Sequence, residues 1–198
     1  MQWSDEGYLL SKSNFDENSI IVDTFTLNHG RYNGIVYGGA SRKQKRNFQI
    51  GNKIHLNWKS KGENRSGYFN IELIKPVAPF FFDDKKRSTS ILAATSILRI
   101  LLPERQINQN IYKLFEKMLN ELEKDNWIQL YILWELSIIK ELGFESSNSI
   151  FIKSREFLYN NQIRKALALN KNLLLENFII PNKLKFPLFR NILENYFS

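Results

Sequence analysis

The chain contains no cysteine. Disulfides, thiolate metal sites and cysteine nucleophiles are therefore excluded, and the composition fits a reducing cytoplasm. Histidine is almost as scarce. His29 falls in a turn pattern and His55 in a strand pattern, and neither has metal-ligand spacing around it. No uninterrupted apolar run reaches the roughly 18 residues of a membrane-spanning helix. The nearest stretch, Trp127 to Leu142, is broken by Gln129, Glu135, Lys140 and Glu141. The opening residues, Met1 to Glu6, are acidic and lack the basic-then-apolar layout of a secretion signal.

Catalytic signatures are missing too. Gly38-Gly39-Ala40-Ser41-Arg42-Lys43 has neither the spacing nor the following Ser or Thr of a phosphate-binding loop. Asp83-Asp84 is followed at once by Lys85-Lys86-Arg87 and reads as a solvated linker rather than an acid–base pair. A nucleophile, a base or a metal site must be held in geometry for catalysis. No such set is assembled, so the expectation is a protein that is not an enzyme and needs no cofactor.

Positive charge, in contrast, is abundant and unevenly placed. The 198 residues carry a net charge of +8. Between Arg31 and Arg65 lie Arg31, Arg42, Lys43, Lys45, Arg46, Lys53, Lys59, Lys61 and Arg65, against one acid, Glu63. That window alone carries the net charge of the whole chain. A general richness in Lys, Asn and Ile does not concentrate charge in this way. Four cations in Ser41-Arg42-Lys43-Gln44-Lys45-Arg46 repel one another unless a polyanion compensates them, and phosphates do so irrespective of base sequence. Aromatic residues are interleaved: Tyr32, Tyr37, Phe48, Trp58 and Tyr68. Trp58 and Phe48 read as core. Tyr32, Tyr37 and Tyr68 stand open between core and a surface on which bases stack.

Two halves differ in period. Ile54, Leu56 and Trp58 alternate with polar residues, as do Phe69, Ile71 and Leu73. Asn28-His29-Gly30, Gly38-Gly39, Gly51-Asn52 and Gly62-Glu63-Asn64 mark turns. Five strands are expected, roughly 7–13, 19–27, 31–37, 53–59 and 67–75, enough for a small closed barrel of the OB type. Pro76 and Pro79 mark the boundary between residues 1–79 and a helical domain over residues 80–198. There the spacing predicts a helix over about 90–102 ending at Pro103. An amphipathic stripe follows, made by Ile107, Ile111, Leu114, Phe115, Met118, Leu119 and Leu122. A buried central helix is expected over 127–142 with Gly143 past its end, a polar loop over 146–154, and a helical tail over 187–197. The fold class is thus α+β, a five-stranded OB-fold β-barrel followed by an all-α domain.

Read in order, the residues resemble the RecO family of recombinational repair proteins. Trp3-Ser4-Asp5-Glu6-Gly7-Tyr8-Leu9-Leu10-Ser11 is similar to the family's opening strand, and Glu17-Asn18-Ser19 to its turn into the second. Phe25-Thr26-Leu27-Asn28-His29-Gly30-Arg31 and Val36-Tyr37-Gly38-Gly39-Ala40-Ser41-Arg42-Lys43 resemble the next two segments. Leu133-Trp134-Glu135-Leu136 with Glu141-Leu142-Gly143-Phe144 resembles a helix of its C-terminal domain, and the form is nearest to alphaproteobacterial members. The resemblance implies binding of single- and double-stranded DNA and annealing of complementary strands. With RecR as partner, it also implies help in loading RecA onto strands coated by single-stranded DNA-binding protein. A cytoplasmic, nucleoid-associated location with no membrane partner follows. Many members carry a cysteine-bearing zinc element after the Leu-Gly-Phe segment. This chain shows none, so zinc is not carried over.

The expected DNA contacts are Arg31, Arg42, Lys43, Lys45, Arg46, Lys59, Lys61, Arg65 and Tyr37. The family also implies a greasy, cation-rimmed pocket near Trp134 for the acidic tail of the single-stranded DNA-binding protein. Ile132-Leu133 stands here where many members have a cation just before the aromatic. Arg99, Arg105, Arg155, Arg164 and Lys165 are candidate replacements. Two other readings stay open: an OB-type module for RNA or ribosomes, and an enzyme whose site the sequence does not display.

Overall fold

The computed structural model describes residues 1–42, 44, 47–60, 67–144 and 148–197, with the backbone alone over 148–151. These residues form two compact units, Met1–Gln109 and Asn110–Ser198. No helix among them is long and apolar enough to cross a membrane.

In the first unit five strands close a barrel in the order β1-β2-β3-β5-β4. They are β1 (Gln2–Asn14), β2 (Ile20–Thr26), β3 (Gly30–Val36), β4 (Lys53–Lys59) and β5 (Gly67–Lys75). All neighbours are antiparallel except β3 and β5, which pair in parallel with Gly34 opposite Gly67 and Ile35 opposite Tyr68. Two glycines meet there because rings fill the interior. A Cβ on Gly67 would lie 2.2 Å from the Trp58 indole, and one on Gly34 would lie 2.8 Å from the Phe69 ring. Inside, Leu9, Val22, Phe48, Ile54, Leu56, Trp58 and Phe69 form one buried cluster. Trp58 and Phe48 are thus core, as their pattern indicates.

The first strand begins at Gln2, not near residue 7. Its polar start does not read as a strand, yet Gln2 to Tyr8 pair with β4, and Gly7 to Asn14 pair with β2. The strand serves both neighbours, with a register shift between Leu9 and Ser11. Buried Asn52 then pins the exit from the barrel. Its Oδ1 accepts from the N–H groups of Val77 (2.8 Å) and Ala78 (3.2 Å), leading into a short 3-10 turn at Ala78–Phe81.

Helix α1 (Lys85–Leu101) starts earlier than its apolar period shows. Asp84 is its N-cap, accepting from the Lys86 and Arg87 N–H groups and pairing with the Arg87 guanidinium. Capping satisfies N–H groups that otherwise lack partners. Asp84 therefore has a defined structural role in place of the solvated-linker role expected of it. Burial resists its ionisation, but those Arg87 and Lys86 contacts outweigh burial and hold the carboxyl below its usual value. The helix packs on β1 and sets Ile91 against Gly51, where a Cβ would lie 2.4 Å from the Ile91 side chain. The compact unit takes in α1, and the prolines at 76 and 79 mark the change from strand to helix.

The second unit contains α2 (Gln109–Asn120, entered from the last residue of the first unit), α3 (Trp127–Glu141), α4 (Asn148–Tyr159), α5 (Ile163–Leu174) and α6 (Leu188–Asn195). A π-helical turn, Leu175–Ile179, extends α5. Ile111, Phe115, Met118 and Leu119 are buried as the stripe requires, but Ile107 is exposed and precedes the helix. Helix α3 is buried on most sides, as its composition demands. It ends with Gly143 at φ +85, the Gly143 N–H donating to Lys140 and the Phe144 N–H to Ile139. That bond pair is a Schellman cap.

The loop expected over 146–154 is helical from Asn148. Its polarity misleads because Ser154 is buried and hydrogen-bonds to the Asn170 side chain of α5. Asn170 also donates to the Ile132 carbonyl and to Glu135 on α3. Glu135 in turn forms a fully buried ion pair with Arg190 of α6, whose guanidinium also donates to the Leu167 carbonyl at 2.8 Å. Burial opposes the Arg190 charge, but Glu135 beside it outweighs burial and raises its pKa.

Candidate nucleic-acid interface

Strand alternation sorts the barrel's cations. On β4 and β5 the outward positions face one another as Lys59 with Tyr68, Asn57 with Asn70, and His55 with Glu72. Directly opposed residues share a face. One end of this face is therefore cationic and aromatic, and the other carries an acid. Lys53 pairs with Glu6 of β1 at 3.1 Å.

Arg31, read from sequence as a phosphate contact, is engaged within its own unit. Its guanidinium donates to the Arg99 and Leu102 carbonyls, both at 2.6 Å, and lies 3.3 Å from both Asp23 and Glu104. Two of these acceptors belong to the end of α1, where carbonyls lack helical partners. Arg99 joins the network, 3.2 Å from Asp23. Burial pushes the Asp23 carboxyl above its usual value, and Arg31 and Arg99 oppose that shift without cancelling it. This network had no signal in the sequence, because its members lie up to 81 positions apart between residues 23 and 104.

Arg42 and Lys59 are exposed, and no ion pair to either is found among the described residues. Lys43, Lys45, Arg46, Lys61 and Arg65 lie outside the described residues. Their flanks are described: the first three follow Tyr37 and Arg42, and the last two stand between Lys59 and Tyr68. Tyr37 is 66% and Tyr68 39% exposed, with ring centroids 6.0 Å apart. Tyr32 is drawn inward, edge-on to Trp3 and Trp58.

Beyond these residues, a cluster at the barrel's opposite turn was not foreseen. The His29 ring stacks on Trp3 at 4.0 Å, and its Nδ1 lies 2.9 Å from Asp5. Asp5 also accepts from the Asn28 backbone and side chain and from the Glu6 N–H. Burial works against ionisation of Asp5, but the bonds from His29, Asn28 and Glu6 outweigh it and lower its pKa. Among the described residues, no three His, Asp or Glu side chains are grouped as metal ligands.

In the second unit a groove of about 320 Å³ is lined by Gln129, Leu133, Arg155, Leu158 and Tyr159. Trp134, the neighbour of Leu133, is buried. Of the candidate replacement cations, Arg155 lines this groove. Arg99 is paired as described, Arg105 lies over the Tyr32 ring, and Lys165 lies over Phe157.

The family model described as Recombination protein O N terminal matches residues 1–77, and that described as Recombination protein O C terminal matches residues 83–147. Among curated relatives, the DNA repair protein RecO of Hyphomonas neptunium is 37% identical over 147 residues. Those of Cereibacter sphaeroides and Roseobacter denitrificans are each 33% identical, over 144 and 145 residues. Each alignment covers 73% of this chain and 60% of the relative, so the chain spans about three fifths of the length of the curated relatives it matches.

Proposed function

The chain belongs to the RecO family, and on that premise we propose that it acts in DNA repair and recombination by binding DNA and annealing complementary strands. The observation that carries this reading is the concentration of the chain's net positive charge in one barrel segment. Within it Arg42 and Lys59 stand exposed, Lys59 directly opposite the outward Tyr68. Cations bind either strand through its phosphates and reduce the repulsion between two complementary strands. Annealing needs no bond chemistry, and the proposed activity uses neither a nucleotide nor a metal. RecR, the single-stranded DNA-binding protein and, through them, RecA are the partners this reading assigns. The Leu133–Arg155 groove is its receptor for an acidic tail that ends in an apolar residue.

The test is annealing of complementary oligonucleotides by the purified chain, with chelator present and ATP omitted. If about four to five phosphates are contacted, the logarithm of single-strand affinity falls against the logarithm of salt with a slope near about −3. Replacing Arg42, Lys43, Lys45 and Arg46 together with Glu removes most of the binding and annealing. A folded quadruple variant that anneals like the parent overturns the reading. Tighter binding to structured RNA than to single-stranded DNA would instead favour an RNA-binding module.

A further inference from the structure

Tyr37 occupies an unusual place for a large ring. It follows the last residue of β3, at the second position of the turn Val36-Tyr37-Gly38-Gly39, in which the Gly39 N–H donates to the Val36 carbonyl at 3.3 Å. Gly38 holds φ +72, the left-handed conformation that a type II turn demands at its third position. Gly39 presses on the barrel, since a Cβ there would lie 2.7 Å from Ile20. The turn is therefore anchored on its inner side and presents Tyr37 at its corner. Tyr68 is held by two strands at once, opposite Lys59 on β4 and Ile35 on β3. Its ring meets Tyr37 at 6.0 Å with a tilt of 52°. One ring is thus buttressed from a rigid sheet while two thirds of its residue surface stays open.

Burying an apolar ring against the core would be the cheaper arrangement, as Trp58 and Phe69 show in the adjacent pair of the same two strands. A braced, exposed ring, propped by a tyrosine that lies opposite the exposed Lys59, suits a flat apolar partner attached to a polyanion. Unpaired bases have that chemistry. Paired bases do not offer it, because their faces are already stacked and a ring on a turn reaches only their edges or backbone. We propose that Tyr37 is a stacking site for one unpaired base and Tyr68 its positioning residue, so that the barrel discriminates single strands from duplex. The proposal rests on the reading above that this barrel binds DNA.

The experiment measures affinity of the full chain for three probes of equal length at one salt concentration: oligodeoxythymidine, the same backbone without bases, and a duplex. Tyr37→Ala is expected to lose about ten- to a hundred-fold on oligodeoxythymidine, the range that one stacked base supplies. It should change about two-fold or less on the other two probes and leave the salt slope intact. Tyr37→Trp restores binding, and Tyr68→Ala gives an intermediate loss. Equal binding of oligodeoxythymidine by Tyr37→Ala and parent, with the parent thermal midpoint retained, overturns the proposal. So does an equal loss on the abasic probe. If the quadruple Glu variant still binds every probe like the parent, the DNA-binding reading fails together with the stacking site. If only the tyrosine variants are without effect, the stacking site fails alone.

Discussion

Asp5 illustrates how one polar residue serves a small barrel. It is buried near the start of β1 and takes hydrogen bonds from three residues, two of which belong to the β2–β3 turn. Its carboxylate thus closes that turn onto the strand. Asp5→Asn is expected to cost about 1–3 kcal/mol at neutral pH, because bonds to a charged acceptor are weakened or lost. The sign of the pH dependence follows from the shift. The folded-state pKa lies below the ordinary carboxylate value, so the stabilisation is complete above the unfolded value and is lost as pH falls through the folded one. Denaturant unfolding from about pH 5 downward should therefore show the parent losing more stability than the variant. Parallel curves for the two proteins would show that Asp5 does not carry that dependence.

The helices are joined by one polar network rather than by apolar seams alone. Glu135 on α3 meets Arg190 on α6 and Asn170 on α5, and Asn170 meets Ser154 on α4. Tyr131, one turn before Glu135, is also buried, and its phenol is raised by burial and by the nearby carboxylate. Removing one member of a fully buried pair strands the other charge, so Glu135→Ala is expected to destabilise by about 3–5 kcal/mol. Replacing Glu135 with Leu and Arg190 with Met together should recover most of that loss, since apolar groups of similar volume often substitute well. Thermal unfolding of the single and double variants decides. A double variant no better than the sum of its parts would place the energy in packing instead.

At the scale of the molecule, the packing of α1 on the barrel decides what can stand alone. Arg31 donates to two carbonyls at the α1 terminus, and Gly51 leaves room for Ile91. A fragment of residues 1–109 should melt cooperatively and bind single-stranded DNA. A fragment of residues 1–79 should melt well below it, because it exposes the barrel surface under α1 and loses the Arg31 contacts. Equal melting temperatures would show that α1 adds nothing to the barrel. In the other unit, the groove beside Leu133 offers Arg155 as its lining cation. We expect it to bind an acidic peptide with an apolar end weakly and with strong salt dependence, since exposed charges are screened. Arg155→Glu should abolish the interaction in a fluorescence titration. Undiminished binding by that variant would place the tail elsewhere.

Alternation over 54–58 and 69–73 and the helical stripe over 111–119 were legible in the residues, because a half-buried strand or helix writes its period into the chain. The charge window and the family segments were legible for the same reason: they are local. Four features were not. The start of β1 is strand because two neighbours pair with it, and α4 is helix where polar residues suggested a loop. Arg31 is bound up with Asp23 and the end of α1, and Tyr37 is exposed while Tyr32 is drawn inward. Each depends on which distant segments meet across the barrel or between helices. Sequence by itself determined the five strands, the helices that carry an apolar period, their order and the location of positive charge. Only the tertiary structure decided which cations are already neutralised and which rings remain open, because burial and pairing are properties of neighbours in space.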